Sequence, residues 1–144
     1  MIKKPIKPKP PLEHTEQVLF VQWARRMGFP IFAIPNGGQR HRVVAAKLKL
    51  EGVRAGVPDL FLPIPVGEYH GLFIEMKRQT GSGLSSEQKT WKRTLEANGY
   101  KVIIGTGAKS AREQTLEYIR EDKDLKSYST KTNGELRRNY EKLF

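Results

Sequence analysis

The pattern of apolar and polar positions divides the chain into alternating helical and strand segments. Apolar residues at helical spacing predict helices over residues 13–27, 39–51, 85–98 and 108–121. Shorter apolar runs bounded by glycine or proline predict strands over residues 29–35, 60–64, 72–77 and 100–106. This order of elements predicts an α/β fold in which a mixed β-sheet is flanked by helices.

Two of the helices have features that bear on the rest of the chain. Ser85 and Gln88 form the S-x-x-Q pattern of a capping box, which marks the start of the third helix, and Gly99 marks its end. The first helix has an apolar face that is predicted to consist of Val18, Leu19, Phe20 and Trp23. Apolar neighbours at helical spacing favour core packing over base stacking for both tryptophans, Trp23 and Trp91.

The composition of the two ends differs from that of the middle. Residues 1–11 alternate lysine with proline and predict an extended arm, which either follows a phosphate backbone or only aids solubility. Residues 12–121 contain all the predicted elements and form the expected domain. Residues 122–144 are polar and of mixed charge; a short helix over residues 135–143 would serve as a dimer contact or a DNA contact, or would fray.

The charge balance indicates a polyanionic partner. The chain has 144 residues, a net charge of +11 and 38% hydrophobic residues, which is typical of one globular domain that binds nucleic acid through phosphate neutralisation. No broad apolar face accompanies the basic residues, which disfavours a membrane surface as the partner. The sequence has no cysteine, which excludes disulfides and thiolate zinc sites, and no apolar run of membrane-spanning length. We therefore expect a soluble, intracellular, cytoplasmic protein.

The candidate chemistry lies on two of the predicted strands. Side chains alternate between the faces of a strand, so Glu75 and Lys77 share one face. Asp59, at the start of the preceding strand, reaches the same face if the two strands pair. Two carboxylates beside one another favour a bound cation, and their hard oxygen atoms suit Mg²⁺ or Mn²⁺. Such a metal would polarise a phosphate and activate a water molecule, with Lys77 beside it.

Each of these residues also has a structural interpretation. Asp59 follows a proline and suits a turn, and Glu75 with Lys77 suits an exposed pair at a sheet edge. The three residues in this order nevertheless favour catalysis over three unrelated structural roles.

The same residues carry a resemblance to a known family. Pro58-Asp59 followed by Glu75-x-Lys77 resembles the PD-(D/E)xK nuclease signature. The surrounding segments GVPDL, FIEMK, LSSEQ and GYKV, in that order, are similar to the VRR-NUC family, and the resemblance covers roughly residues 13–120. It implies a restriction-endonuclease-like fold and hydrolysis of phosphodiester bonds.

The resemblance also implies roles for individual residues. Asp59 and Glu75 would bind the metal beside the backbone carbonyl of Met76, and Lys77 would be the catalytic lysine. An acid of the first helix often joins such sites; Glu16 is the predicted one, with Glu13 as the alternative. Gln88 matches a glutamine near the active site, in addition to its capping role.

The leading functional hypothesis is a structure-selective DNA endonuclease that uses Mg²⁺ or Mn²⁺. The chain is similar to the standalone phage and bacterial members of the family, which resemble Holliday-junction resolvases and act as homodimers. A nicking or restriction-type endonuclease is the alternative within the enzyme class. A non-catalytic nucleic-acid-binding module is the alternative outside it.

Overall fold

The protein has the alternating architecture that the sequence predicts. The structure, a computed structural model, describes residues 9–36, 42–81 and 83–121. The four helices are α1 (Glu13–Arg26), α2 (Arg42–Leu50), α3 (Ser86–Ala97) and α4 (Ala108–Arg120). The four strands are β1 (Phe32–Ala33), β2 (Leu60–Leu62), β3 (Leu72–Lys77) and β4 (Lys101–Thr106).

The strands form one mixed sheet in the order β1-β2-β3-β4. The pairs β1–β2 and β2–β3 are antiparallel, and β3 pairs with β4 in parallel through the crossover helix α3. In the register of the central strands, Leu60 lies opposite Ile74, and Glu75 lies opposite Ile104. The predicted α/β mixed sheet flanked by helices is therefore confirmed.

One face of the sheet forms the hydrophobic core. Helices α1 and α4 cover it, and the buried side chains of the strands on this face are those of Leu60, Leu62, Leu72, Ile74, Met76 and Ile103. Because side chains alternate along a strand, the residues between them point to the opposite face. That opposite face carries Glu75 and Lys77.

Two predicted strands are shorter in the structure, and proline explains both. The segment predicted as residues 29–35 contributes only Phe32–Ala33, because Phe29 and Ile31 bond backbone groups close in sequence and Pro30 has no N–H group. Strand β2 ends at Leu62 instead of residue 64, since Pro63 cannot donate a hydrogen bond to a neighbouring strand.

The buried face of α1 differs from the predicted one. Its fully buried residues are Glu16, Phe20 and Ala24, which recur every four positions, whereas Val18 and Leu19 are exposed. Trp23 packs against the core, as predicted, and its ring is tilted against that of Phe20. Trp91 is only half-buried and does not belong to the core cluster, so its predicted core position is wrong. Helix α3 contains no buried residue.

Two expectations lie largely outside the described residues. They concern the arm at residues 1–11, of which the structure describes only residues 9–11, and the segment 122–144 with its predicted short helix. Among the helices that are described, none is long and apolar enough to cross a membrane.

Candidate active site

Asp59 is fixed between two segments of the chain. It stands immediately before β2, where its Oδ2 atom accepts a hydrogen bond of 2.8 Å from the backbone N–H of Met76 on β3. Its Oδ1 atom accepts one of 2.8 Å from Nδ2 of Asn36. Asn36 also donates to the carbonyl of Val57, which ties the turn before β2 to the segment after β1. These contacts place the Asp59 carboxylate beside β3.

Glu75 and Lys77 lie together on the face opposite the core. Their side chains are buried, with relative exposures of 3% and 8% for the two residues, and Nζ of Lys77 lies 3.5 Å from Oε1 of Glu75. Strand β3 is a central strand of the sheet, so the interpretation of these residues as an exposed edge pair does not hold. A buried ion pair beside a third charged group is unusual for a purely structural sheet.

Gln88 joins α3 to this pair. Its backbone N–H donates to Oγ of Ser85, and its Oε1 accepts from the backbone N–H of Ser85, which completes the predicted capping box. The same Oε1 accepts a hydrogen bond of 3.1 Å from Nζ of Lys77, while Nε2 donates one of 2.6 Å to Oε1 of Glu75. Gln88 therefore combines the capping contact with direct contacts to both charged groups.

A glycine allows α3 to approach the loop before β2 this closely. Gly56 has a φ of +85°, and a Cβ atom at this position would lie 2.6 Å from the backbone carbon of Glu87. Any other residue would force the first turn of α3 away from this loop. The GVPD sequence thus helps to bring Gln88 within reach of β3.

The pKa of Glu75 is higher than that of an ordinary glutamate. Burial raises the pKa of Glu75 to about 7, the negative charge of Asp59 adds to the increase, and the ammonium of Lys77 opposes it. The Oε2 atom of Glu75 is buried and has no hydrogen-bond partner among the described residues. An unpaired buried carboxylate oxygen is costly, and a bound cation would satisfy it.

The structure places Glu16 at the N-terminus of α4. Its Oε2 atom accepts a hydrogen bond of 2.7 Å from the backbone N–H of Ala108, the first residue of α4. Its Oε1 atom accepts one of 2.6 Å from Nε2 of Gln79. A carboxylate in this position interacts favourably with the helix dipole. Both carboxylate oxygens of Glu16 thus already have structural partners.

Glu13 lies one turn earlier on α1 and acts on the site through its charge. Its carboxylate contributes to the raised pKa of Glu75, although less than burial and Asp59 do. Glu13 is half-buried, and no hydrogen bond of its side chain is found within the described residues. Of the two acids named for α1, Glu13 is the one whose charge acts on Glu75.

Comparison with known proteins connects this geometry to a family. The sequence model of the VRR-NUC domain matches residues 3–109. The chain therefore belongs to the VRR-NUC domain family. A solved structure titled "VRR_NUC domain protein" is 31% identical, covers 78% of this chain and 92% of its own, and superposes with a TM-score of 0.68. No curated protein matches the sequence.

Membership of the VRR-NUC family implies a nuclease-type function and binding of DNA. The four residues that the sequence suggested as catalytic, Asp59, Glu75, Lys77 and Gln88, are brought together at one face of this VRR-NUC domain. The structure gives the contacts of these residues, and their catalytic roles stay predictions.

The side chains at this face offer two carboxylates to a divalent cation. Asp59 and Glu75 offer hard oxygen ligands, and the unpaired Oε2 of Glu75 fits a cation. In the described portion of the VRR-NUC domain, however, no group of three or more His, Asp or Glu side chains is close enough to hold a metal. Since Mg²⁺ usually keeps several waters and binds through one or two carboxylates, two carboxylates are sufficient.

Two contributors were not identified from the sequence. Asn36 precedes two glycines in the sequence, and in the structure it hydrogen-bonds Asp59 across 23 positions. Gln79 lies two residues after Lys77 and bonds Glu16 across 63 positions. Neither residue carries a local signal, because both act through contacts that only the fold creates. The sequence features that come nearest to indicating these two contacts are the GVPD segment, which contains Asp59, and the position of Gln79 shortly after the E-x-K motif.

Proposed function

We propose that this VRR-NUC domain is a structure-selective DNA endonuclease that depends on Mg²⁺ or Mn²⁺ and acts on branched DNA as a homodimer, in the manner of a Holliday-junction resolvase. The observation that carries the proposal is the buried pair of Glu75 and Lys77 beside the half-buried Asp59 on one sheet face, where Oε2 of Glu75 has no hydrogen bond among the described residues. An ion pair with a purely structural role would not explain a buried carboxylate oxygen that accepts no hydrogen bond.

Asp59, Glu75 and the backbone carbonyl of Met76 would hold the metal, and the charge of Glu13 would act on the site from α1. When bound, such an ion polarises a phosphate oxygen and lowers the pKa of a water molecule. Both oxygens of Asp59 are held by Asn36 and Met76, which fixes the position of its carboxylate before any ligand arrives. Preorganisation of this kind lowers the cost of assembling the site.

Lys77 supplies the positive charge of the site. Its ammonium is held by Oε1 of Gln88 and lies near Oε1 of Glu75, so it has a defined position on the sheet face. From there it orients the attacking water and stabilises the negative charge that develops on the phosphate. Gln88 is a positioning residue, because it contacts both Lys77 and Glu75 and would fix their relative orientation.

A panel of DNA substrates tests the proposal. With Mg²⁺ or Mn²⁺, we expect the protein to cut four-way junctions at least tenfold faster than flaps, splayed arms or linear duplex of the same sequence. Paired cuts on opposite strands are expected, since a homodimer brings two sites to one junction. Excess chelator should abolish cleavage.

Each other result of the panel has a defined meaning. Preference for linear duplex would support a nicking or restriction-type enzyme. Cutting in excess chelator would contradict the metal dependence. Tight, salt-sensitive binding without product from any substrate would support a non-catalytic binding module.

The two acids of α1 are separated by a matched pair of substitutions. Glu13→Gln is expected to raise the Mg²⁺ concentration required for half-maximal cleavage by at most about threefold, because it removes a half-buried charge that acts on Glu75 more weakly than burial and Asp59 do. Glu16→Gln is expected to lower the free energy of unfolding by about 1–3 kcal/mol, since a buried charged acceptor of two hydrogen bonds is lost. Its Mg²⁺ requirement should stay unchanged.

Cleavage titrations with Mg²⁺ and denaturant unfolding of both variants provide the measurements. The opposite pattern, in which Glu16→Gln alone raises the Mg²⁺ requirement, would assign the metal to Glu16, as predicted from the sequence.

A further inference from the structure

A cavity of about 610 Å³ lies between α2 and α3, next to the candidate active site. Its size falls within the range of roughly 300–1,000 Å³ that is typical of ligand pockets. Side chains at helical spacing on α2 line one wall of the cavity, and residues of the loop after α2 line a second part. Side chains from the first turns of α3 line the opposite wall. The lining residues on which the inference depends are Lys49, Arg54, Ser86, Glu87 and Trp91.

Trp91 provides an aromatic surface in this cavity. It is half-buried and lies outside the core cluster, so packing of the core does not account for its position. The guanidinium of Arg54 lies 5.9 Å from the centre of its ring. An aromatic ring with a nearby cation, open to a cavity, is the arrangement on which unpaired bases stack in proteins that bind single-stranded nucleic acid.

The charges around the cavity favour a polyanion. Helix α2 carries Arg42, Lys47 and Lys49 and has no acidic residue between its first and last positions. Lys49 and Arg54 line the cavity itself. Glu87 is the acidic residue of the lining; it is exposed and accepts a hydrogen bond from Oγ of Ser86. A carboxylate at this point disfavours phosphate but can accept a hydrogen bond from the amino group of a base.

Within the described residues, no other helix or strand packs closely against α2. It contains no buried residue, and none of its Cα atoms lies within 8 Å of another helix or strand in the described parts of the chain. Its side of the cavity is therefore held by the loop that leads to Gly56. That loop lies against the backbone of Glu87, which is adjacent to Gln88. One turn of α3 thus faces the cavity with Glu87 and Trp91 and faces the catalytic cluster with Gln88.

We infer that this cavity binds an unpaired nucleobase of the DNA substrate, stacked on Trp91, with Lys49 and Arg54 neutralising the adjoining phosphates. The inference rests on the proposed function, because that function places the bound base beside the scissile phosphate. It identifies the recognised feature as a nucleotide that leaves its base pair at the branch point of the DNA, next to the cut. Unbranched duplex has no such point, so it would bind through its backbone alone and leave the cavity empty.

Tryptophan fluorescence tests the inference without cleavage. The chain has two tryptophans, so Trp23→Phe leaves Trp91 as the single tryptophan, which is excited selectively over the tyrosines. In excess chelator, a forked duplex with unpaired arms is expected to quench the emission of Trp91 until the protein is saturated. A blunt duplex of the same sequence should bind at low salt without quenching.

Substitutions at Trp91 measure the stacking contribution. Trp91→Leu is expected to weaken binding of the forked duplex about tenfold, or about 1.4 kcal/mol, and to change blunt-duplex binding less than twofold. Trp91→Phe retains a ring and should bind the fork nearly as tightly as the parent chain. Because α3 has no buried residue, both variants should keep the parent's melting temperature, which serves as the folding control.

Several results would overturn the inference. These are quenching by neither DNA, equal quenching by both, and equal loss of both affinities in Trp91→Leu. Shielding of Trp91 from acrylamide in the free protein would mean that another part of the chain or a second copy fills the cavity, and it would overturn the inference as well. Failure of cleavage on every substrate would refute the proposed function and leave the fluorescence result standing, so the two failures are distinguishable.

Discussion

Lys77→Ala is expected to lower the rate of DNA cleavage about 1,000-fold, within the range that a positioned proton-transfer or charge-stabilising group contributes. The ammonium is buried and held by Gln88, so water cannot take over its position or its charge without rearrangement. Single-turnover cleavage of a four-way junction with saturating Mg²⁺ provides the measurement. Binding of the junction in chelator should change less than threefold.

The control for this substitution must separate catalysis from charge and folding. Lys109→Ala also removes a lysine that is paired with a glutamate, since Nζ of Lys109 lies 3.9 Å from Oε1 of Glu113, but the position on α4 is exposed. The cleavage rate of this variant should stay within twofold of the parent. Lys77→Met keeps most of the side-chain volume in the buried position and should be as inactive as the alanine variant. Full activity in Lys77→Met would show that Lys77 is structural.

The sequence predicted the part of the site that depends on local periodicity. Alternation along one strand was sufficient to place Glu75 and Lys77 on a common face. The S-x-x-Q pattern was sufficient to locate the start of α3, and hence Gln88. Asp59 required one further assumption, the pairing of β2 with β3, which the structure confirms.

The contributions that the sequence did not predict depend on how helices pack on the sheet. Glu13 and Glu16 are three positions apart on one helix and point in similar directions, so periodicity does not separate them. The fold distinguishes them, because Glu16 is buried and contacts the start of α4 and Gln79, whereas Glu13 is half-buried. Trp91 was misplaced for the same reason, because its apolar neighbours resemble those of a core residue although α3 packs on the sheet with its side chains at most half-buried.

The raised pKa of Glu75 has consequences for the stability of the fold. In the native protein Glu75 releases its proton near pH 7, whereas an unfolded glutamate releases it near 4.5. Between these values the native state binds more protons than the unfolded state, so the contribution of Glu75 to stability is present at low pH and is lost as the pH rises through 7. Above pH 7 the buried charge destabilises the metal-free fold.

Glu75→Gln is therefore expected to be more stable than the parent chain at pH 8, by at most about 3 kcal/mol, with the difference vanishing towards pH 4.5. Glutamine keeps an acceptor oxygen for Gln88 and carries no charge that must be buried. Denaturant unfolding in chelator between pH 4.5 and 8 measures the difference. Glu113→Gln, in an exposed ion pair, should show a pH-independent change of less than about 0.5 kcal/mol.

Adding Mg²⁺ at pH 8 extends this experiment to the metal itself. A cation that binds the native carboxylate cluster stabilises the parent chain by mass action, so its melting temperature should rise with Mg²⁺ concentration. Glu75→Gln should show no such rise, since the ligand with the unpaired Oε2 is gone. An equal rise in both proteins would place the bound ion elsewhere. A Glu75→Gln variant less stable than the parent at pH 8 would instead show that Lys77 fully compensates the buried charge.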